Sequence, residues 1–322
     1  MTANVPRVSL GSWPTPLEPA PKLGAAIGLQ PDDLWVKRDD LTGLGGGGNK
    51  VRKLEYSCAA ALSNGAQILV TTGAAQSNHA RLTAAAGARL GLQVHLVLAG
   101  TPDAALNGNL LLDGLLGATV HWAGNAGDME LDRQAGAIAG QLSREGVRVE
   151  VIPYGGSSVL SVRGYVDCAH ELLEQAPDLD HVVTAVGSGG TMAGLVHGLG
   201  GRRVLGVHTG AVDDPRAAVM ALIEGLRNVD GLDPREVDVR IRLDQVGLGY
   251  SDLSPATREA VRLAARTEGL VLDPIYTGRA LAGLRSAVAE GDVQPGERTI
   301  VLHSGGLPGL FGHAQAAVLA QE

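Results

Sequence analysis

The sequence predicts an α/β protein with mainly parallel sheets covered by helices. Three observations carry this. Short apolar runs and longer helical stretches alternate through nearly all of the 322 residues, the order that βαβ units produce. The short runs are continuously apolar, as strands buried on both faces should be. Turns rich in glycine or small polar residues join them.

In chain order, the first strand is expected at 34–37, where Leu34, Trp35 and Val36 are consecutive. A helix at 49–64 follows a run of four glycines, and an apolar strand at 67–72 follows it. The next helix, 77–90, opens on Ser77, a residue type that caps helices. Strands at 94–98, 119–122 and 149–152 then alternate with helices at 109–116 and 129–145. A helix at 161–175 leads to the strand 181–186, a glycine turn and the helix 191–199. A strand at 204–208 precedes helices at 215–228, 255–267 and 278–290, and the strand 298–303 closes the pattern. No internal repeat or low-complexity linker marks a boundary.

Composition bounds the function. A chain of this length forms roughly two domains or one large one. Hydrophobic residues make up 45%, enough for a sizeable core. The net charge is -8 with no basic run, and aromatic residues are only 3%. Both facts argue against nucleic acid as a partner. Cys58 and Cys168 lie in apolar helical contexts and read as small core residues, not a disulfide or metal pair. The first ten residues lack the apolar core of a signal peptide, and no stretch approaches a membrane span. The expectation is a soluble, cytoplasmic globular protein with no metal.

Four loops carry candidate chemistry, each placed between a strand end and a helix start. The first runs from Gly45 to Lys50. A lysine at a helix start sits near backbone N–H groups and the positive end of the helix dipole, which disfavours its ammonium form. A neutral lysine is a nucleophile that forms a Schiff base with a carbonyl cofactor. The alternative is a surface lysine after a flexible loop. The second loop reads Gln76-Ser77-Asn78-His79. Ser77 and Asn78 stand at a helix N-terminus suited to a carboxylate or phosphate, or Ser77 is an ordinary cap. His79 is either a general base or a packing residue. The third loop, Gly187-Ser188-Gly189-Gly190-Thr191, fits a phosphate cup better than a nucleotide fingerprint, with a plain tight turn as the alternative. The fourth comprises Tyr276-Thr277 and His303-Ser304-Gly305-Gly306. A neutral hydroxyl there suits an unprotonated pyridine nitrogen, whereas a carboxylate would hold that nitrogen protonated. A Schiff-base lysine, a phosphate cup and a hydroxyl for a ring nitrogen together describe a pyridoxal 5'-phosphate site.

The chain resembles the D-cysteine desulfhydrase and 1-aminocyclopropane-1-carboxylate (ACC) deaminase family. The motifs that carry the resemblance are Lys37-Arg38-Asp39-Asp40, Gly47-Gly48-Asn49-Lys50 with Arg52-Lys53-Leu54-Glu55, Gln76-Ser77-Asn78-His79, Asp273-Pro274-Ile275-Tyr276 and His303-Ser304-Gly305-Gly306. The resemblance implies the tryptophan synthase β-subunit fold, called fold type II, with two three-layer α/β domains. The smaller would span 52–159, and the larger would combine 1–51 with 160–322. It implies a pyridoxal phosphate enzyme and a homodimer acting on a small amino acid. It places the Schiff-base lysine on Lys50 rather than Lys53, the active-site serine on Ser77, and the asparagine near the cofactor on Asn78. The phosphate loop falls on Gly187 to Thr191, beside Asn49. Tyr250 and Tyr276 match the tyrosines that line the substrate face, with Ser77, Asn78, His79 and Tyr276 around the substrate. ACC deaminases are similar to one another in having glutamate and leucine where this chain has Thr277 and Ser304; desulfhydrases have hydroxyls there. The chain therefore looks like a D-cysteine desulfhydrase. ACC deaminase and L-cysteate sulfo-lyase are the rival activities, and an inert cofactor-binding protein is the rival without catalysis.

Overall fold

A computed structural model describes residues 5–231 and 237–321. Residues 1–4, 232–236 and 322, all within the larger expected domain, lie outside the described residues. The chain opens with strand β1 (Leu17–Pro19), helix α1 (Pro21–Ala26) and strand β2 (Leu34–Lys37). There follow α2 (Lys50–Ser63), β3 (Ile68–Ala74), α3 (Asn78–Leu90), β4 (Gln93–Ala99), α4 (Gly108–Leu115), β5 (Thr119–Trp122), α5 (Asp128–Arg144) and β6 (Val149–Val151). Next come α6 (Arg163–Gln175), β7 (His181–Val186), α7 (Gly190–Leu199), β8 (Val204–His208), α8 (Pro215–Asp230) and β9 (Arg240–Arg242). The last elements are α9 (Pro255–Glu268), α10 (Thr277–Glu290), β10 (Thr299–Leu302), α11 (Leu307–Gly312) and α12 (Ala316–Ala320).

The strands form two sheets. One is six-stranded in the order β1-β2-β10-β7-β8-β9, and the other is four-stranded in the order β5-β4-β3-β6. All pairings are parallel except β1 with β2. Each sheet is covered on both faces. In β7, Val182 points into one core with α6, α7 and α8, while Val183 points into the other with α1, α9 and α10. In the smaller sheet, Leu69 and Leu96 face α2, α3 and α4, whereas Val70 and Val97 face α5. This two-sided burial is why the strands lack polar alternation. Cys58 and Cys168 are fully buried in two different cores. Among the described residues, no helix is long and apolar enough to cross a membrane.

Expected and observed strands coincide at β2, β5, β7 and β8. β1, β9, α1, α11 and α12 were not expected, and all are short.

One charged cluster fixes where α2 begins. Asp39 is fully buried and accepts from Arg52 at 2.8 and 2.9 Å, Tyr165 at 2.6 Å and Thr15 at 2.9 Å. Arg52 also pairs with Glu171 of α6 at 2.9 Å and stacks 4.1 Å from the Trp13 ring. Despite its burial, the Asp39 carboxyl is held below the usual carboxylate range by Arg52, its hydroxyl donors adding to the effect. The network clamps the N-terminal segment, α2 and α6 together two residues beyond Lys50.

Candidate active site

The loops at the carboxyl ends of both sheets converge on one cavity, as parallel α/β sheets arrange their ligand sites. Its lining includes Asn49, Lys50, Ser77, Asn78, His79, Gly187, Ser188, Gly189, Gly190, Thr191, Tyr250, Tyr276 and Ser304. Every residue singled out from sequence is therefore brought together, with one exception. Thr277 does not line the cavity. Its hydroxyl donates to Asp273 Oδ1 at 2.6 Å and accepts from the Asp273 amide at 2.8 Å. Of the two hydroxyls expected near a ring nitrogen, only that of Ser304 belongs to a residue lining the cavity, because the first turn of α10 is folded onto Asp273.

Glycine geometry makes the first loop. Gly45 to Gly48 all have positive φ, conformations open to glycine but not to other L-residues. At Gly47 a Cβ would lie 1.9 Å from the Asp40 carbonyl. Arg81 of α3, fully buried, donates to the Gly45 and Gly47 carbonyls at 2.6 and 2.9 Å. The Asn49 amide donates to the Ser304 carbonyl at 2.9 Å, so the lysine loop and the β10 turn are tied edge to edge.

Lys50 is the first residue of α2 and is half-buried. Its Nζ donates to the Gly155 carbonyl at 3.0 Å. Burial pushes its ammonium down to about 8. The helix start predicts a shift in this direction, but its larger cause is loss of water. Lys53, one turn on, also donates to Gly155 at 3.1 Å and to Ser157 Oγ at 2.9 Å. Its pKa falls well below the ordinary lysine value through burial and the neighbouring Lys50 charge. Two amines thus crowd one carbonyl, and the ammonium form of each is less favoured than that of an exposed lysine.

The turn after β7 has the features of an anion cup. Gly189 takes a left-handed conformation, and a Cβ there would lie 3.2 Å from the Val219 amide. α7 follows, its first-turn N–H groups free of intrahelical partners. Hydroxyls flank it: Ser188 Oγ and Ser157 Oγ are 2.8 Å apart, and Thr191 Oγ1 accepts from Asn49 Nδ2 at 3.0 Å. Lys53 approaches so closely that a Cβ at Gly190 would sit 3.0 Å from its Nζ. Helix N-terminus, hydroxyls and the Lys53 amine, a hydrogen-bond donor in either protonation state, together suit a phosphate.

The opposite wall comes from α3. Ser77 caps it, accepting from the Ala80 amide at 3.2 Å. Asn78 Oδ1 accepts from Asn109 Nδ2 at 3.0 Å and Arg81 Nη2 at 3.3 Å, which fixes its amide. His79 contacts Thr71 Oγ1 at 2.9 Å through Nε2. The Thr71 hydroxyl donates to the Ile152 carbonyl at 2.9 Å, so its oxygen accepts and His79 carries its proton on Nε2. Burial, aided by Lys50 and Lys53, keeps the ring neutral. His79 is thereby held as a wall, and its Nδ1 has no hydrogen-bond partner among the described residues. Tyr250 and Tyr276 share a 2.6 Å hydrogen bond, and burial raises both phenols.

Tyr154, Gly155 and Lys53 line the cavity and were not singled out as site residues. A signal existed: Tyr154-Gly155-Gly156-Ser157-Ser158 follows a strand end, as the other site loops do. Among the described residues, no group of three or more His, Cys, Asp or Glu could hold a metal ion.

Comparison with known proteins agrees with this chemistry. Residues 8–305 match the family described as pyridoxal-phosphate dependent enzyme. A protein of Pyrococcus horikoshii named "Putative 1-aminocyclopropane-1-carboxylate deaminase" is 39% identical, with 97% of this chain and 95% of that protein covered. A D-cysteine desulfhydrase of Salmonella typhi is 38% identical, with 96% of each chain covered. The crystal structure of an ACC deaminase homologue superposes with a TM-score of 0.90 at 37% identity, covering 98% of this chain and 96% of the other.

Proposed function

The chain belongs to the pyridoxal-phosphate dependent enzyme family, and from that premise we propose that it catalyses α,β-elimination of D-cysteine to pyruvate, hydrogen sulfide and ammonia. It is a pyridoxal phosphate-dependent lyase of fold type II. Its relatives carry both family names, one called a D-cysteine desulfhydrase and another a "Putative 1-aminocyclopropane-1-carboxylate deaminase", so the substrate is argued from the site.

One observation carries the choice. No carboxylate lines the inner cavity among the described residues, and the residue of the β10 turn is the neutral Ser304. When bound, the cofactor supplies an electron sink for negative charge at the substrate α-carbon. A sink with no carboxylate to keep its ring nitrogen protonated is a weaker one. Ring opening of ACC has no α-proton to remove and depends on a strong sink. Elimination from cysteine has an available α-proton and a good leaving group, so it needs less.

The residues divide the work. Lys50 would anchor the cofactor carbonyl, and its Nζ, freed when the substrate amine takes its place, would remove the α-proton. Gly187 to Thr191, with Asn49, hold the phosphate. Ser77 and the α3 N-terminus hold the substrate carboxylate, Asn78 and His79 form the adjoining wall, and Ser304 serves the ring nitrogen. Tyr276, hydrogen-bonded to Tyr250, donates a hydrogen bond to the departing sulfur, which leaves as hydrosulfide. Thr277 acts at one remove by fixing Asp273. The aminoacrylate left behind hydrolyses to pyruvate and ammonia.

The test is incubation of the purified protein with D-cysteine, L-cysteine, L-cysteate and ACC, followed by assay of sulfide, sulfite, pyruvate and 2-oxobutyrate. Sulfide and pyruvate from D-cysteine are expected, with little 2-oxobutyrate from ACC. Faster turnover of ACC than of D-cysteine would show that the argument from Ser304 is wrong.

A further inference from the structure

Arg81 of α3 is fully buried and does not line the cavity. Its guanidinium nevertheless joins two pieces that do. Nη1 donates to the Gly45 and Gly47 carbonyls at 2.6 and 2.9 Å, Nη2 to Asn78 Oδ1 at 3.3 Å, and Nε to Asn109 Oδ1 at 3.0 Å. The glycine carbonyls belong to the loop that leads directly into Lys50, and Asn78 opens the opposite wall. Asn109, in the first turn of α4, ties into that same wall. Its Nδ2 donates to Asn78 Oδ1 at 3.0 Å and to the Gln76 carbonyl at 2.9 Å. The donors of a guanidinium point in fixed directions. The lysine loop therefore cannot shift against the start of α3 without breaking this set.

All of these acceptors are neutral, so none of them answers the charge of Arg81. A carboxylate does so from the next helix. Asp113, one turn past Asn109 on α4, is fully buried, and neither of its oxygens has a hydrogen-bond partner among the described residues. A buried carboxylate without donors is costly, and an apolar residue would serve the packing of α4 better. Arg81 is the charged group whose field reaches it. α4 packs chiefly on α3 and α11. α11 carries no titratable side chain, and on α3 His79 is turned to Thr71 while Arg89 is exposed.

We infer that Arg81 is a positioning residue for Lys50 and Asn78, and that Asp113 acts on the reaction through Arg81, as its buried counter-charge. The inference rests on the reading of Lys50 as the reacting amine. With Asp113 ionised, the guanidinium is held in place against its four acceptors. With Asp113 neutral, it is buried without an opposite charge and is drawn toward water, which loosens its hold on the glycine carbonyls. A displacement of about 1 Å at a reacting group costs on the order of a hundred-fold in rate, so even partial loosening is readable in kcat. Burial pushes the Asp113 carboxyl up to about 7, with Arg81 opposing, and pushes Arg81 down to about 10, with Asp113 opposing. Asp113 thus changes charge near neutrality while Arg81 keeps its own.

The experiment compares the parent protein with Asp113→Asn, which fixes the neutral form at the same size, and with Arg81→Lys, which keeps the charge and loses the planar fork. Two rates are followed from about pH 6 to about pH 8.5: sulfide release from D-cysteine by the holoenzyme, and capture of pyridoxal phosphate by the apo-protein. The ratio of Asp113→Asn to parent cancels the titration of Lys50 and of the substrate. It should be near one at the acid end, where both proteins carry a neutral group, and lower by about five-fold or more at the alkaline end. In urea titrations of the apo-protein the same variant should be the more stable one at the alkaline end. The folded pKa of Asp113 is raised from 3.8 to about 7, so the parent loses stability as the pH rises through that interval and the variant does not. A ratio that does not change with pH, or activity and stability lost together, would reduce Asp113 to a packing residue and overturn its role. Arg81→Lys should lower kcat by about ten-fold or more with KM held within about three-fold; a soluble Arg81→Lys with parental kcat would overturn the role of Arg81. A parent that fails on D-cysteine while cofactor capture keeps the pH-dependent ratio would overturn the elimination reading and leave this inference standing. Turnover of D-cysteine with both ratios flat would do the reverse.

Discussion

Lys50 is held where its ammonium is costly, and the cost has a sign that can be measured. Its folded pKa of about 8 lies below the ordinary lysine value of 10.5. The unfolded chain therefore binds more protons between those limits, and in the apo-protein stability rises with pH across that window. The penalty is fully present below about 8 and gone above the ordinary value. Lys50→Met should accordingly stabilise the apo-protein at pH 7, with the gain shrinking as the pH is raised through this window in urea titrations. Borohydride treatment of the holoenzyme, with peptide mapping, should place the cofactor adduct on Lys50. An adduct on Lys53, whose Nζ lies 2.9 Å from Ser157 Oγ, would exchange the roles given to the two amines. Lys50 was legible in sequence because a glycine run and a helix start frame it. Gly155, which both lysines share, was not, since it contributes only a backbone carbonyl, and a glycine after an expected strand carries no side-chain signal for that role. Thr277 was misplaced because a hydroxyl at a helix start reads alike whether it faces a ligand or its own turn.

At the scale of elements, legibility followed length and burial. Fully buried strands such as β7 and β8 announce themselves by composition alone. β1 contains Pro19 and lies at a sheet edge, and β9 is Arg240-Ile241-Arg242 with one apolar residue. α11 has six residues, among them Pro308 and two glycines. Tertiary contacts, not local pattern, form these pieces. The start of α2 depends in the same way on a long-range contact, the buried Arg52–Asp39 pair at 2.8 Å. Removing one member leaves the other charge buried and uncompensated, which costs about 3–5 kcal/mol. Arg52→Met should therefore lower stability by about that amount in denaturant unfolding, and activity should fall because Lys50 sits on the same helical turn. Replacement of both partners together should cost less than the sum of the single changes. Additive effects would mean that the pair does not hold α2 as a unit.

At the scale of the whole molecule, the sheets divide the chain unevenly. The smaller is built only from residues between 68 and 151, and the larger from 17–37 and 181–302. We propose on that basis that 52–159 behaves as the smaller domain. The outer face of its helix α4, packed against α11, is apolar and uncovered. Leu115 is 79% exposed and Phe311 67%, with Leu106 and Leu111 beside them in sequence on the α4 side. We propose that these exposed apolar groups, gathered on adjoining helices, form an interface between two copies of the chain. The homodimer that the family resemblance implies supplies such a cover, and a second copy would present the same face to itself about a two-fold axis. Light scattering at micromolar concentration should give twice the mass of one chain. Leu111→Glu with Leu115→Glu should give a monomer that still folds, since both side chains point to solvent and neither lines the cavity. A dimer that survives both charges would move the interface to another face, and a monomeric parent protein would remove the need for one.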